Sequence, residues 1–152
     1  MPLSTTPTEA EYLNVFLRTS VGITTDALPD DNIAIGISYA LAIETVNRYF
    51  KAVSPPLYVW AVYNLAAALL FNFALDTPPS TFFADARTKF NINGFVAGVI
   101  SSASDNGTSA GTVVPASLSQ LTIADLQLLK TPWGREYLSI AQKWGPDLFG
   151  LS

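Results

Sequence analysis

The sequence predicts a mainly α-helical protein: a bundle of about four to six helices in one domain, with an extended arm over residues 104–120 and a C-terminal docking tail. Three observations carry that expectation. Threonine- and proline-led capping signals recur ahead of apolar runs, the pattern that opens helices. Within those runs apolar residues return every three or four positions, the period of a helix face. Hydrophobic residues are 49% of the 152-residue chain and charged residues 13%, about half the usual charged share of roughly 25%. Charge this scarce implies that much of the surface meets protein or lipid, so the chain reads as an oligomer.

Taken in order, residues 1–103 read as the helical core, 104–120 as the arm and 121–152 as terminal helices with a docking tail. Thr6-Pro7-Thr8-Glu9 reads as a capping box with proline at the first helical position, opening a helix to about Thr19. Its apolar face is Tyr12, Leu13, Phe16 and Leu17. "PDDNIAIGISYALAIETVNRYFK" reads as a second helix, with Asp30 and Asp31 at its start and Arg48 and Lys51 at its end, each matched to the helix dipole. It carries two stripes, Ile33–Ile37–Leu41 and Ile35–Tyr39–Ile43–Val46–Phe50. Two apolar faces predict a helix sandwiched between neighbours.

Ser54-Pro55-Pro56 restarts the chain, with Ser54 as cap, and "LYVWAVYNLAAALLFNFALD" follows. This is the one stretch, roughly 19 residues long, where a membrane span has to be weighed. Asn64 and Asn72, and the lack of nearby basic residues, favour a central bundle helix. The two asparagines then need hydrogen-bond partners, across either the core or a subunit contact. "STFFADARTKFNINGFVAGVISSASD" reads as one or two helices with a break near Asn91 to Gly94. "NGTSAGTVVPASLSQL" is rich in turn formers and reads as a surface arm. Thr122 and Thr131 open two short helices, the second stopped by Gly145-Pro146.

The chain has no cysteine and no histidine. Disulfides, thiolate chemistry, His-ligated zinc and most nucleophile–histidine schemes are therefore excluded. Asp30-Asp31 and Glu9/Glu11 are the only carboxylate pairs, and each sits at an expected helix start, where acids serve the dipole. No phosphate loop or metal-ligand spacing occurs. The sequence therefore points to a non-enzyme with no cofactor and no metal. Five acids against Arg18 in residues 1–31 make that stretch −4, and the remaining charges balance. Nothing resembles a basic stripe for gripping phosphates. "MPLSTTPTEAEYL" lacks the basic start and apolar run of a signal peptide.

Asp85 and Arg87, two apart on one helix, do not face each other; they, with Asn64 and Asn72, are candidates for polar contacts between subunits. The ending "TPWGREYLSIAQKWGPDLFGLS" holds two of the three tryptophans, where chain ends are usually polar and frayed. Trp133 and Tyr137, at i and i+4, suit packing back on the bundle as well as contact with a partner. Trp144, Leu148, Phe149 and Leu151 lie at or beyond the helix end, among glycines, and are the stronger candidates for docking into a partner by coupled folding.

"LPDDNIAIGISYALAIETVNRYFKAVSPPLYVWAVYNLAAALLFNFA" resembles the helical core of tailed-bacteriophage head-to-tail connector (adaptor, or head completion) proteins, and "LTIADLQLLKTPWGREYLSIAQKWG" resembles the C-terminal segment of such phage structural proteins. The two blocks cover roughly half the chain; the second is the more distinctive. The acidic N-terminal helix and the arm match no part of that pattern. The resemblance implies a structural virion protein at the neck, beneath the portal vertex, assembled in the host cytoplasm. It implies a closed ring of copies of this chain, commonly twelve, between the portal protein and a tail or nozzle protein. DNA passes through the channel without specific binding, and no membrane is involved. The aromatic C-terminal residues would then anchor on the portal, and Trp144→Ala should weaken that attachment without unfolding the chain. Two rivals stand beside it. One is a small phage membrane protein, a holin-like hairpin of residues 33–50 and 57–75, for which Glu44, Arg48 and Lys51 make the first span awkward. The other is a cell-wall hydrolase, which needs a carboxylate of raised pKa in a cleft.

Overall fold

The computed structural model describes residues 4–94 and 123–143. Seven helices and no strand occur among these residues, 68% of which are helical. The arm over 104–120, the cap Thr122 and the tail from Trp144 onward lie outside them.

Helix α1 starts at Glu9–Glu11 and continues over Tyr12–Val21 as a π-helix, a wider winding that is rare in proteins. Its cap is Thr8, not Thr6: Thr8 Oγ1 accepts the Glu11 N–H, and Pro7 lies ahead of the helix. Glu11, turned away from the cap, takes hydrogen bonds from Ser4. Gly22, at φ 85°, ends the helix, and both its N–H and that of Ile23 bond the Leu17 carbonyl. Glycine takes this left-handed geometry at no steric cost. Tyr12, Phe16 and Leu17 are buried. Arg18 folds over the following loop, donating to the carbonyls of Ile23, Thr24 and Leu28 and to Asp30.

The second expected helix is two. Helix α2 spans Ile33–Thr45, capped by Asn32, whose side chain accepts the Ala34 N–H. Val46 is extended (φ −71°, ψ 130°) and buried, and α3 follows over Tyr49–Val53. Asn47 Oδ1 accepts the Tyr49 N–H at 2.9 Å and secures the restart. Val46 and Phe50 are both buried in the core, one on each side of the break. The sandwich is also only half present. Ala34, Ile35, Ser38 and Ala42 form the buried seam, whereas Ile33, Ile37 and Leu41 face outward at 77%, 43% and 48% exposure.

Helix α4, Pro55–Phe73, is the central element. Pro55 and Pro56 fill its first turn, and Ser54 makes no side-chain cap bond. Every residue from Ala61 to Ala68 is buried. Four of these eight residues are alanines, whose small side chains let neighbours approach on several sides at once. Helix α2 lies against it in antiparallel sense: Tyr12 bridges Ser38 of α2 and Tyr63 of α4, and Tyr58 lies near Glu44 and Arg48. Helix α5 covers Phe82–Lys89, its first turn held by Asp76, whose carboxylate accepts the Phe83 and Ala84 N–H groups. The break expected near Asn91 to Gly94 is a turn with Asn91 at φ 53°.

Helices α6, Ile123–Leu128, and α7, Pro132–Lys143, close the described fold. Thr131 Oγ1 accepts the Gly134 N–H and starts α7 as expected. Helix α7 packs along α4, burying Tyr137, Leu138, Ile140 and Ala141, and Trp60 Nε1 donates to Glu136 across the join. Lys130 Nζ donates to the carbonyls of Asn91, Ile92 and Gly94, tying this segment to the turn after α5.

Candidate functional site

Two surfaces stand out because each places apolar side chains where water reaches them. The first is the outer face of α2. Ile33, Ile37 and Leu41 are spaced four apart and line one ridge along the helix. An open depression of about 410 Å³ runs along its N-terminal half, lined by Ile33 and Ile37 of the ridge, by Gly36 and Ala40, and by the acids Glu9, Asp30 and Asp31. Tyr49 and Val53 on α3 are exposed as well, at 77% and 55%. Among the described residues, five of the seven exposed large hydrophobic side chains thus lie on α2 and α3, far from the scattered singles that an ordinary surface carries.

The second surface is a groove of about 490 Å³ where α5 meets the start of α7. Phe71 forms its base and Phe82, Phe90 and Trp133 its walls, with Asp85 and Lys89 at the mouth. Trp133 stacks on Phe71 with centroids 4.6 Å apart and planes at 2°, and meets Phe90 edge-on. The expected pair Trp133 and Tyr137 therefore packs back on the bundle: Tyr137 is buried, and burial pushes its phenol up to about 12. Trp133 is half-buried and leaves one edge in the groove. Trp144, Leu148, Phe149 and Leu151 lie outside the described residues.

The polar candidates are largely engaged within their own chain. Asn64 is buried and donates to the Trp60 carbonyl at 2.8 Å, one turn back in α4, so its partner lies neither across the core nor across a subunit contact. Arg87 donates to the carbonyls of Phe71 and Ala74, satisfying the end of α4. Asp85 is exposed and accepts from Thr81. Asn72 is half-buried near the same helix end.

One compact polar network joins α1 to α4. Tyr63 donates to Glu11 Oε2 at 2.5 Å and accepts the Thr8 N–H at 3.1 Å, while Ser4 donates to both Glu11 oxygens. Burial pushes the Glu11 carboxyl up, but the hydrogen bonds from Ser4 and Tyr63 outweigh it and hold the group below its ordinary value. A hydrolytic acid needs the opposite shift. No cluster of three or more metal-ligating side chains occurs among the described residues.

The ridge is legible in the sequence as an apolar stripe, but it is exposed where two apolar faces predict burial. The groove was not legible, because Phe71, Phe82, Phe90 and Trp133 come from three separate segments of the chain. Comparison with protein-family models, curated proteins and solved structures finds no match.

Proposed function

We propose that this protein is a structural subunit of a ring, the head-to-tail connector of a tailed bacteriophage, set between portal and tail. The observation that carries the reading is the ridge of Ile33, Ile37 and Leu41 exposed along α2. Covering a side chain of this size is worth about 1.5–3 kcal/mol, and repetition of the contact around a closed ring makes each subunit hold two neighbours. The shortage of charge, 13% of the sequence, suits flanks that other copies cover. A surface without a basic stripe suits a channel that DNA must pass without sticking. In this reading the tail beyond Lys143 docks on the portal and DNA runs through the centre.

Helix α4 bears on the rival membrane reading. It is long and apolar enough to cross a bilayer, yet two thirds of that stretch (67%) is buried inside the chain. Burial by α2 and α7 supports its role as a core helix.

The test is the mass of the protein, purified without detergent, by light scattering alone and with a portal protein. A closed multimer, or a fixed multiple bound to the portal, is the expected outcome. Ile37→Glu should reduce it to a monomer with unchanged helical circular dichroism, because Ile37 is exposed on its own chain. A wild-type chain that stays monomeric with and without portal, or that needs detergent to dissolve, would overturn the proposal.

A further inference from the structure

We infer that the ridge of α2 seats in the α5–α7 groove of a neighbouring copy, so that one surface of each subunit fits a different surface of the next. The inference rests on the ring reading and names the contact that builds it. Three observations point to this pairing.

The first is placement. Helix α4 carries α2 on one side and α7 on another, so ridge and groove lie on different flanks of the subunit. A contact between unlike surfaces on separate flanks is the kind that propagates into a ring, whereas a ridge meeting its own copy stops at a dimer. The second is level. Tyr12 touches both Ser38 of α2 and Tyr63 of α4, which sets the two residues at roughly matching heights. At a rise of roughly 1.5 Å per residue, Ile33 lies about 7 Å toward the start of α2 and Phe71 about 12 Å toward the end of antiparallel α4. Both lie at the same end of the bundle. A neighbour displaced sideways, with little shift along the helix axes, therefore brings the Ile33 end of its ridge to the groove.

The third is chemistry. The ridge is aliphatic and exposed; the groove is concave and lined by four aromatic side chains. Acids flank the ridge at that end, Asp31 and Glu9 being exposed. At the groove mouth Lys89 is exposed, its ammonium 5.5 Å from the Phe90 ring. Asp85, one turn before it, accepts from Thr81 and keeps its own negative charge. Seating Ile33 and Ile37 on the aromatic walls sets Lys89 of one copy toward the acidic margin of the next, a contact of opposite charges that favours this direction when Asp85 points away from it.

The chain has no cysteine, so engineered thiols report on this contact without background. Ile33 and Lys89 are both exposed, and replacing either removes no core packing. The double variant Ile33→Cys/Lys89→Cys, oxidised under native conditions and run on a non-reducing denaturing gel, should give a ladder of covalent multimers. Each single variant should stay monomeric on the same gel, and an equimolar mixture of the two should give covalent dimers. A covalent dimer from Ile33→Cys alone would overturn the inference, since the ridge would then face itself. A double variant that gives no ladder, although light scattering shows a multimer, would overturn this pairing while the ring reading stands. A monomer by light scattering at every concentration, with and without portal, would remove the ring reading itself.

Discussion

Gly134 sits where a side chain has no room: a Cβ there would stand 2.0 Å from the Leu128 carbonyl oxygen. The tight passage from α6 into α7 depends on that gap, and with it the placing of Trp133 over Phe71. Gly134→Ala should cost about 1–3 kcal/mol, the usual range for overpacking, read as a lower urea midpoint. Arg87 acts at a helix end instead. Its guanidinium donates to the Phe71 and Ala74 carbonyls, groups that the end of α4 would otherwise leave without a partner. Arg87→Met keeps most of the apolar stem and removes the donors. We expect a loss of about 1.5–3 kcal/mol, the range for hydrogen bonds involving a charged group, with no change in subunit number. A variant that also dissociates the multimer would place Arg87 at a subunit contact. Neither role is legible locally. The sequence shows a glycine after Pro-Trp and an arginine two residues from an aspartate, and the atoms they answer to come from other segments.

At the scale of elements, the break between α2 and α3 shows how packing overrides a continuous helical pattern. Val46 and Phe50 are both buried although the chain bends at Val46 and restarts at Asn47 between them. Asn47→Ala removes the side-chain acceptor for the Tyr49 N–H and should cost about 1 kcal/mol, as lost caps do. Hydrogen exchange should speed up in Tyr49–Val53 and leave α2 and α4 protected. The starts of α4 and α7 were legible, because Ser-Pro-Pro and Thr-Pro carry their own backbone restrictions. The start of α1 was misplaced by two residues, since Thr6 and Thr8 both precede an acid-rich turn and only the contact between Glu11 and Ser4 separates them. The π-winding of Tyr12–Val21 left no mark in the apolar spacing.

The whole molecule is held by a core rich in phenols, and this gives it a pH signature. Burial raises Tyr12, Tyr63 and Tyr137 above the ordinary tyrosine value, Tyr137 to about 12. A raised value in the folded chain means that folding favours the neutral phenol. Its contribution is complete below pH of roughly 10 and is lost as pH rises through the folded values. We expect a cooperative alkaline transition in which part of the tyrosinate absorbance appears together with loss of the helical signal. Tyrosines that all ionise before any helix is lost would contradict their burial. Glu11 behaves in the opposite sense. Its lowered value supports folding above the ordinary glutamate range, and the support fades as pH falls through the folded value. Because Glu11 is only half-buried, the acid effect should be the smaller, and Glu11→Gln should flatten it.

The amino-acid sequence by itself determined the helical class, the proline-led start of α4 and the capped start of α7, the central place of the Ala-rich helix and the lack of cysteine and histidine chemistry. These follow from local backbone preference, apolar period and composition, which neighbours in sequence settle among themselves. Only the tertiary structure decided which stripe of α2 is buried. Ile33–Ile37–Leu41 and Ile35–Tyr39–Ile43–Val46–Phe50 both read as apolar stripes in sequence, and the choice falls to whichever face meets α4 and α1. The groove at Phe71, Phe82, Phe90 and Trp133 exists only once α5 and α7 lie beside α4. A surface assembled from three distant segments has no period to read, because its geometry is set by packing rather than by spacing along the chain.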